Sequence, residues 1–103
     1  MAILLRVQWV DQSDHPEPYQ RIRRIGGVSR DLQWKYTQQE AIESIERGLC
    51  AYYVKKGSLA VRLVVGRTAD GRKYLTVPDE RRHVQLLHGM PGFPKAEPVV
   101  AAS

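Results

Sequence analysis

A single cysteine, Cys50, is the only thiol in this sequence. That excludes an intramolecular disulfide and any zinc site built on paired cysteines. It also makes the reducing cytoplasm the simplest compartment. Histidine is scarce as well, with only His15, His83 and His88. His83 and His88 stand five positions apart, which turns them away from each other on a helix. No HxxxH or HExxH spacing occurs, so no metal and no cofactor are expected. Nothing approaches the roughly 20 apolar residues of a membrane-crossing helix, and no membrane partner is expected. The N-terminal MAILLRVQWV is broken by Arg6 and Gln8 and has no basic lead or small-residue cleavage site. It reads as a strand rather than a leader. Phosphate loops of the GxxxxGK[ST] kind and nucleophile elbows around Ser44 or Ser58 are missing too.

Three features remain that carry chemistry elsewhere, and each has a plainer reading. Cys50 sits in the apolar run LCAYYVK, where a lone cysteine serves as a small buried hydrophobe. Glu40, Glu43 and Glu46 share one face of a helix, which a solvated surface explains. Gly26-Gly27 follows a strand but opens no helix. The chain is therefore not expected to be an enzyme, and a small enzyme ranks behind two binding readings.

What is present is charge, unevenly placed. The formal net charge of the 103-residue chain is +5. Residues 1–48 hold seven basic and seven acidic side chains, and residues 78–103 hold three of each. Between them, Lys55, Lys56, Arg62, Arg67, Arg72 and Lys73 face Asp70 alone. The whole excess lies in residues 49–77, which directs attention to anionic partners.

The elements follow from periodicity. Ile3, Leu5, Val7 and Trp9 alternate as one face of a strand over 3–10. DQSDHPEP at 11–18 is a loop. Gln20 to Val28 is a second strand anchored by Ile22 and Ile25, in which Gly26-Gly27 marks a bulge, a turn or a close backbone approach. Ser29 to Gln33 reads as a connection. Thr37 and Glu40 form a capping box before the stripe Ala41, Ile42, Ile45 and Leu49. Glu43 and Arg47 are spaced for a surface pair, and Gly48 suits a left-handed cap.

Beyond the helix, strands at 49–55, 59–65 and 72–77 are joined by Lys56-Gly57-Ser58 and Ala69-Asp70-Gly71, an antiparallel meander. Asp79 caps a short helical turn through Leu87, with Val84 and Leu87 facing in. The expectation is a single α+β domain over 1–94 in the order ββαβββ, with a largely antiparallel sheet packed by one main helix, a short C-terminal helical turn, and a frayed tail at 95–103.

Four stretches together resemble a family of small bacterial proteins, the domain-of-unknown-function family number 3892. They are RIRRIGG (21–27), WKYTQQEAIESIERG (34–48), YYV with Gly57 soon after, and G-x-K-Y-L (71–75) followed by Asp79, Leu86-Leu87 and a Met-Pro-Gly-x-Pro ending. The chain departs from that pattern at Thr76-Val77, where the family carries Lys-Thr, and at Phe93, where it carries cysteine. The resemblance implies a small α+β fold in a bacterial cytoplasmic setting. It brings no activity, cofactor or catalytic residue with it.

For function, the basic strands are the leading candidate. Arg62 faces away from the apolar positions of its strand, and Arg72, Tyr74 and Thr76 face out on the third, with Tyr52 or Tyr53 alongside. Arginine and tyrosine side by side on a sheet face pair phosphates and stack bases. The candidate site is Lys55, Lys56, Arg62, Arg67, Arg72, Lys73 and Tyr74, on a non-enzymatic module binding nucleic acid or another polyanion. Solubility alone is the plainer account of the same residues. The alternative is a protein-interaction or assembly module, using a sheet edge and the apolar residues near Met90 to Phe93.

Overall fold

The computed structural model describes residues 2–93, and the expected tail at 95–103 lies outside them. Extended runs dominate because the chain is rich in alternating β-branched and aromatic residues. They form β1 (Ile3–Arg6), β2 (Trp9–Gln12), β3 (Ile22–Ser29), β4 (Leu32–Thr37), β5 (Cys50–Lys56), β6 (Leu59–Arg62), β7 (Val64–Arg67) and β8 (Lys73–Thr76). The helices are α1 (Pro18–Arg21), α2 (Gln38–Glu46) and α3 (Glu80–His88).

Sheet A has the order β1-β5-β6, sheet B the order β2-β3-β4, and β7-β8 form a separate ribbon. All pairings are antiparallel except β1 with β5. The α+β class and the mostly antiparallel sheets match the sequence reading. The order ββαβββ does not hold in detail.

The single N-terminal strand expected over 3–10 is two strands. Val7 N–H donates to Tyr53 O at 2.8 Å, and Gln8 N–H donates to Gly26 O at 2.8 Å. The chain thus pairs with sheet A up to Val7 and with sheet B from Gln8 onward. The change of neighbour shifts the buried phase. Leu5, Val7 and Val10 are buried, whereas Ile3 is 62% exposed and Trp9 only half-buried. Gly26 and Gly27 permit the crossing. A Cβ on Gly27 would stand 2.5 Å from Arg6 O, and one on Gly26 would meet the Phe93 ring and Trp34 O. Of the three readings of this pair, close backbone approach is the one that holds.

Residues 29–33 are not a plain connection. They hold a two-residue turn at Arg30 and Asp31, both left-handed (φ 52° and 67°), between β3 and an unforeseen β4. That backbone pairs the strands with the right twist. The meander is likewise divided. Leu63 N–H donates to Tyr52 O at 2.9 Å. Beyond it β7 leaves sheet A and pairs with β8 alone.

α2 matches its local signals. The Thr37 hydroxyl accepts from Glu40 N at 3.1 Å, and the Glu40 carboxylate accepts from Thr37 N at 2.8 Å. Gly48 is left-handed at φ 73°. Leu49, expected in the apolar stripe, lies past the helix end and is 54% exposed. α3 is a full helix as long as α2 rather than a short turn, with Asp79 as its cap and Leu87 buried.

Both helices pack on the inner faces of the sheets. The core gathers Leu5, Val7, Val10, Ile22, Ile25, Ala41, Ile42, Tyr52, Val54, Val61, Leu63, Leu75, Val77 and Leu87. Trp34 and Tyr36 lie against Tyr52 with ring centroids 5.6 and 6.3 Å away. The Tyr52 hydroxyl pairs with Ser44 Oγ at 2.7 Å. Burial pushes that phenol well above the usual tyrosine range. Trp34 Nε1 is buried with no hydrogen-bond partner.

Candidate functional site

The seven residues singled out by charge fall into two groups. Arg67, Arg72, Lys73 and Tyr74 belong to the β7–β8 ribbon, and Lys55, Lys56 and Arg62 to sheet A. They do not form one sheet face, because the ribbon is separate.

The ribbon group is largely occupied by its own neighbours. Arg72 pairs with Asp70 at 3.1 Å and lies over the Tyr19 ring at 4.6 Å. The Asp70 carboxylate also accepts from Thr68, and these two partners hold it below the usual carboxylate range. Lys73 pairs with Glu46 of α2 at 2.7 Å. Arg72 and Lys73 line a groove of about 470 Å³ with Tyr19, Glu43 and Glu46, so its wall carries both signs of charge. The Tyr74 hydroxyl approaches Glu80 at 3.5 Å, and burial followed by that carboxylate raises its pKa. Thr76, expected to face out, is 6% exposed and donates to Glu80 at 2.5 Å. Its hydroxyl is thereby satisfied by the first residue of α3.

A second pocket, about 190 Å³, was not legible in the sequence. It collects Arg21, Tyr74, Thr76, Glu80 and His88 from three separate segments. Its polar groups are engaged within the fold. Arg21 donates to the carbonyls of His15 and Pro16. His88 Nδ1 meets Gln12 Oε1 at 3.1 Å, while Gln12 Nε2 donates to His88 O at 2.7 Å. Burial, then the nearby Arg21 charge, holds the His88 imidazole below its ordinary pKa.

Sheet A presents a different arrangement on its outward face. Leu5, Tyr52, Val54 and Val61 point into the core. Alternation therefore sends Leu4, Arg6, Ala51, Tyr53, Lys55, Ala60 and Arg62 to the other side. All of these are exposed or half-buried. The register sets Arg6 opposite Tyr53 and Tyr53 opposite Arg62. One row across three strands thus reads Arg–Tyr–Arg, about 10 Å from end to end at ordinary strand spacing.

Lys55 lies two residues farther along β5, and Lys56 sits beside the Gly57 turn. The sequences of β1, β5 and β6 contain no carboxylate. Among the described residues, none of Arg6, Lys55, Lys56 or Arg62 takes part in an ion pair. Beside the row, Leu4, Tyr53, Ala60 and Arg62 line a shallow depression of about 230 Å³. Arg6 and Tyr53 were outside the original seven. The missing signal was the parallel β1–β5 pairing, which brings a residue of the charge-balanced N-terminal half onto the basic strands.

The apolar residues near Met90 to Phe93 are engaged in packing. Val10 N–H donates to Pro91 O at 2.9 Å, Met90 packs against the core, and Phe93 meets Trp9 at 6.0 Å between ring centroids. Among the described residues no group of His, Cys, Asp and Glu is arranged to hold a metal. No helix there is long and apolar enough to cross a membrane. Cys50 is free and half-buried at the start of β5.

No curated protein and no solved structure shows significant similarity to the chain. A family model does match it, over residues 10–84, which takes in most of β2, all of β3 to β8, α1, α2 and the first half of α3. The chain belongs to the family described as protein of unknown function, DUF3892.

Proposed function

We propose that this protein is a non-enzymatic binding module that holds an anionic polymer, nucleic acid foremost, against the open face of sheet A. The observation that supports this is the Arg6–Tyr53–Arg62 row with Lys55 beside it, on strands that carry no acid. Cations without a protein partner gain most from phosphates, because binding releases the polymer's condensed counterions. The ribbon cations Arg72 and Lys73 are secondary in this reading, since each would have to leave a carboxylate.

The test is fluorescence polarisation of labelled DNA and RNA, single- and double-stranded, across a salt series. With three to four cations engaged, log K against log salt is expected to fall with a slope of roughly −2 to −3 for single strands. Arg62→Glu with Lys55→Glu should abolish binding, whereas Arg72→Glu should weaken it little. An absence of salt-dependent binding at low ionic strength would overturn the proposal.

A second reading, self-assembly, rests on Leu32. It continues the Trp34–Tyr36 stripe along the edge strand of sheet B and is 73% exposed. Light scattering should then show a dimer that Leu32→Lys dissociates. A monomer at all concentrations would end this reading.

A further inference from the structure

We infer that the polymer taken by sheet A is single-stranded nucleic acid, with one base seated in the depression against Tyr53 and the flanking phosphates on Arg6 and Arg62. This rests on the proposed anion-binding role of the same face and names what that face selects. A polyanion without bases needs only cations, yet the centre of the row is aromatic. Tyr53 is directly flanked by Arg6 and Arg62, and its diagonal neighbours are Leu4 and Ala60. Those two are apolar, and with Tyr53 they form the lining of the depression together with Arg62. Apolar walls beside a phenol ring suit the flat, poorly hydrated face of a base, whereas a sugar-phosphate backbone would gain nothing from them.

Access to the ring distinguishes Tyr53 from the other tyrosines. Tyr52 is fully buried. Tyr19 is covered by the Arg72 guanidinium, and Tyr74 is turned toward Glu80. Tyr36 packs edge-on against Tyr52. Tyr53 alone among the described tyrosines sits on an open, cationic sheet face. Arg72 over Tyr19 is the one cation–π contact among the described residues, so neither Arg6 nor Arg62 covers the Tyr53 ring. A duplex keeps its bases stacked on each other and cannot offer one to a tyrosine on a sheet, which makes an unpaired strand the fitting ligand. In this arrangement both arginines are taken up by phosphates and the tyrosine offers its ring face, so selection among bases is expected to be weak.

The experiment compares four labelled probes matched in number of phosphates: a mixed-sequence single strand, a duplex of half its length, an abasic strand of the same length, and inorganic polyphosphate. Each is titrated against wild type, Tyr53→Leu and Arg62→Glu. The single strand is expected to bind tightest. Tyr53→Leu should weaken it by roughly 5- to 150-fold, the range for losing one stacked base, and leave the abasic strand and polyphosphate unchanged. Arg62→Glu should weaken all four. If every probe binds wild type equally and Tyr53→Leu changes none, the base-stacking inference fails while the anion-binding face stands. If no probe binds, both fail. Circular dichroism of Tyr53→Leu controls for folding, and Tyr53→Phe, which keeps the ring, should restore the single-strand preference.

Discussion

Gly26 and Gly27 sit back to back in β3, and each gives up its side chain to a different neighbour. On the inner side, the space of the Gly27 Cβ is taken by Arg6 O, with Gln8 Oε1 and Trp34 Nε1 each 3.2 Å away. On the outer side, Phe93 lies against Gly26. A backbone carbonyl cannot rotate aside as a flexible side chain can. Gly27→Ala is therefore expected to cost at least the roughly 1–3 kcal/mol of core overpacking, measured as a lowered urea midpoint. Ala at Gly48, which has nothing nearby but sits at φ 73°, should cost backbone strain alone, of order 1 kcal/mol. The glycine pair was visible in the sequence and close backbone approach was among its readings, but the neighbours that approach were not. The atoms that exclude a side chain come from residues 6, 34 and 93, and no local pattern connects them to residues 26 and 27.

At the scale of elements, legibility followed how local the determining interactions are. The start of α2 could be read directly because its cap is made by residues three apart, Thr37 and Glu40. Thr37→Ala should lower stability by about 1 kcal/mol, read from chemical denaturation, with far-UV helicity otherwise retained. β4 escaped notice because its turn uses Arg30 and Asp31 in a left-handed conformation that glycine or asparagine more often signals. The alternation Leu32, Trp34, Tyr36 was the available clue. The break at Leu63 was not readable at all. Leu59, Val61, Leu63 and Val65 alternate without interruption, and only tertiary pairing shows that the first two belong to sheet A and the last to the ribbon. That break separates Arg62 from Arg72 and Tyr74, which puts the expected basic residues on two sheets rather than one face.

For the molecule as a whole, counting charge located the cationic segment but not its neutralisation. Glu46 and Asp70 withdraw two of the six cations, and Arg6 adds one from a half of the chain that balances to zero. The two ends of the described chain are also tied through a titratable group, since His88 of α3 and Gln12 of β2 share two hydrogen bonds. The imidazole is held below its ordinary pKa of about 6.5 by burial and by Arg21, with Glu80 opposing. The native state then refuses a proton that the unfolded chain accepts. Its contribution to stability is fully present above about pH 6.5 and is lost as pH falls through the lower folded value. Melting temperature should accordingly drop between pH 7 and 5, and His88→Gln should flatten that limb of the curve. An identical slope in the variant would remove His88 as the cause.

The parallel pairing of β1 with β5 also has a temporal side. Ile3 through Arg6 leave the ribosome well before their partners Cys50 through Tyr53, which are made only after α2 is complete. Until then the apolar N-terminal segment has no ladder to join, and closing that loop comes late because non-local contacts repay their entropy cost slowly. The Arg–Tyr–Arg row comes into existence only at that step. Whatever the face binds, a chain in which β1 has not yet joined β5 would carry the charge of Arg62 and Lys55 without the complete row.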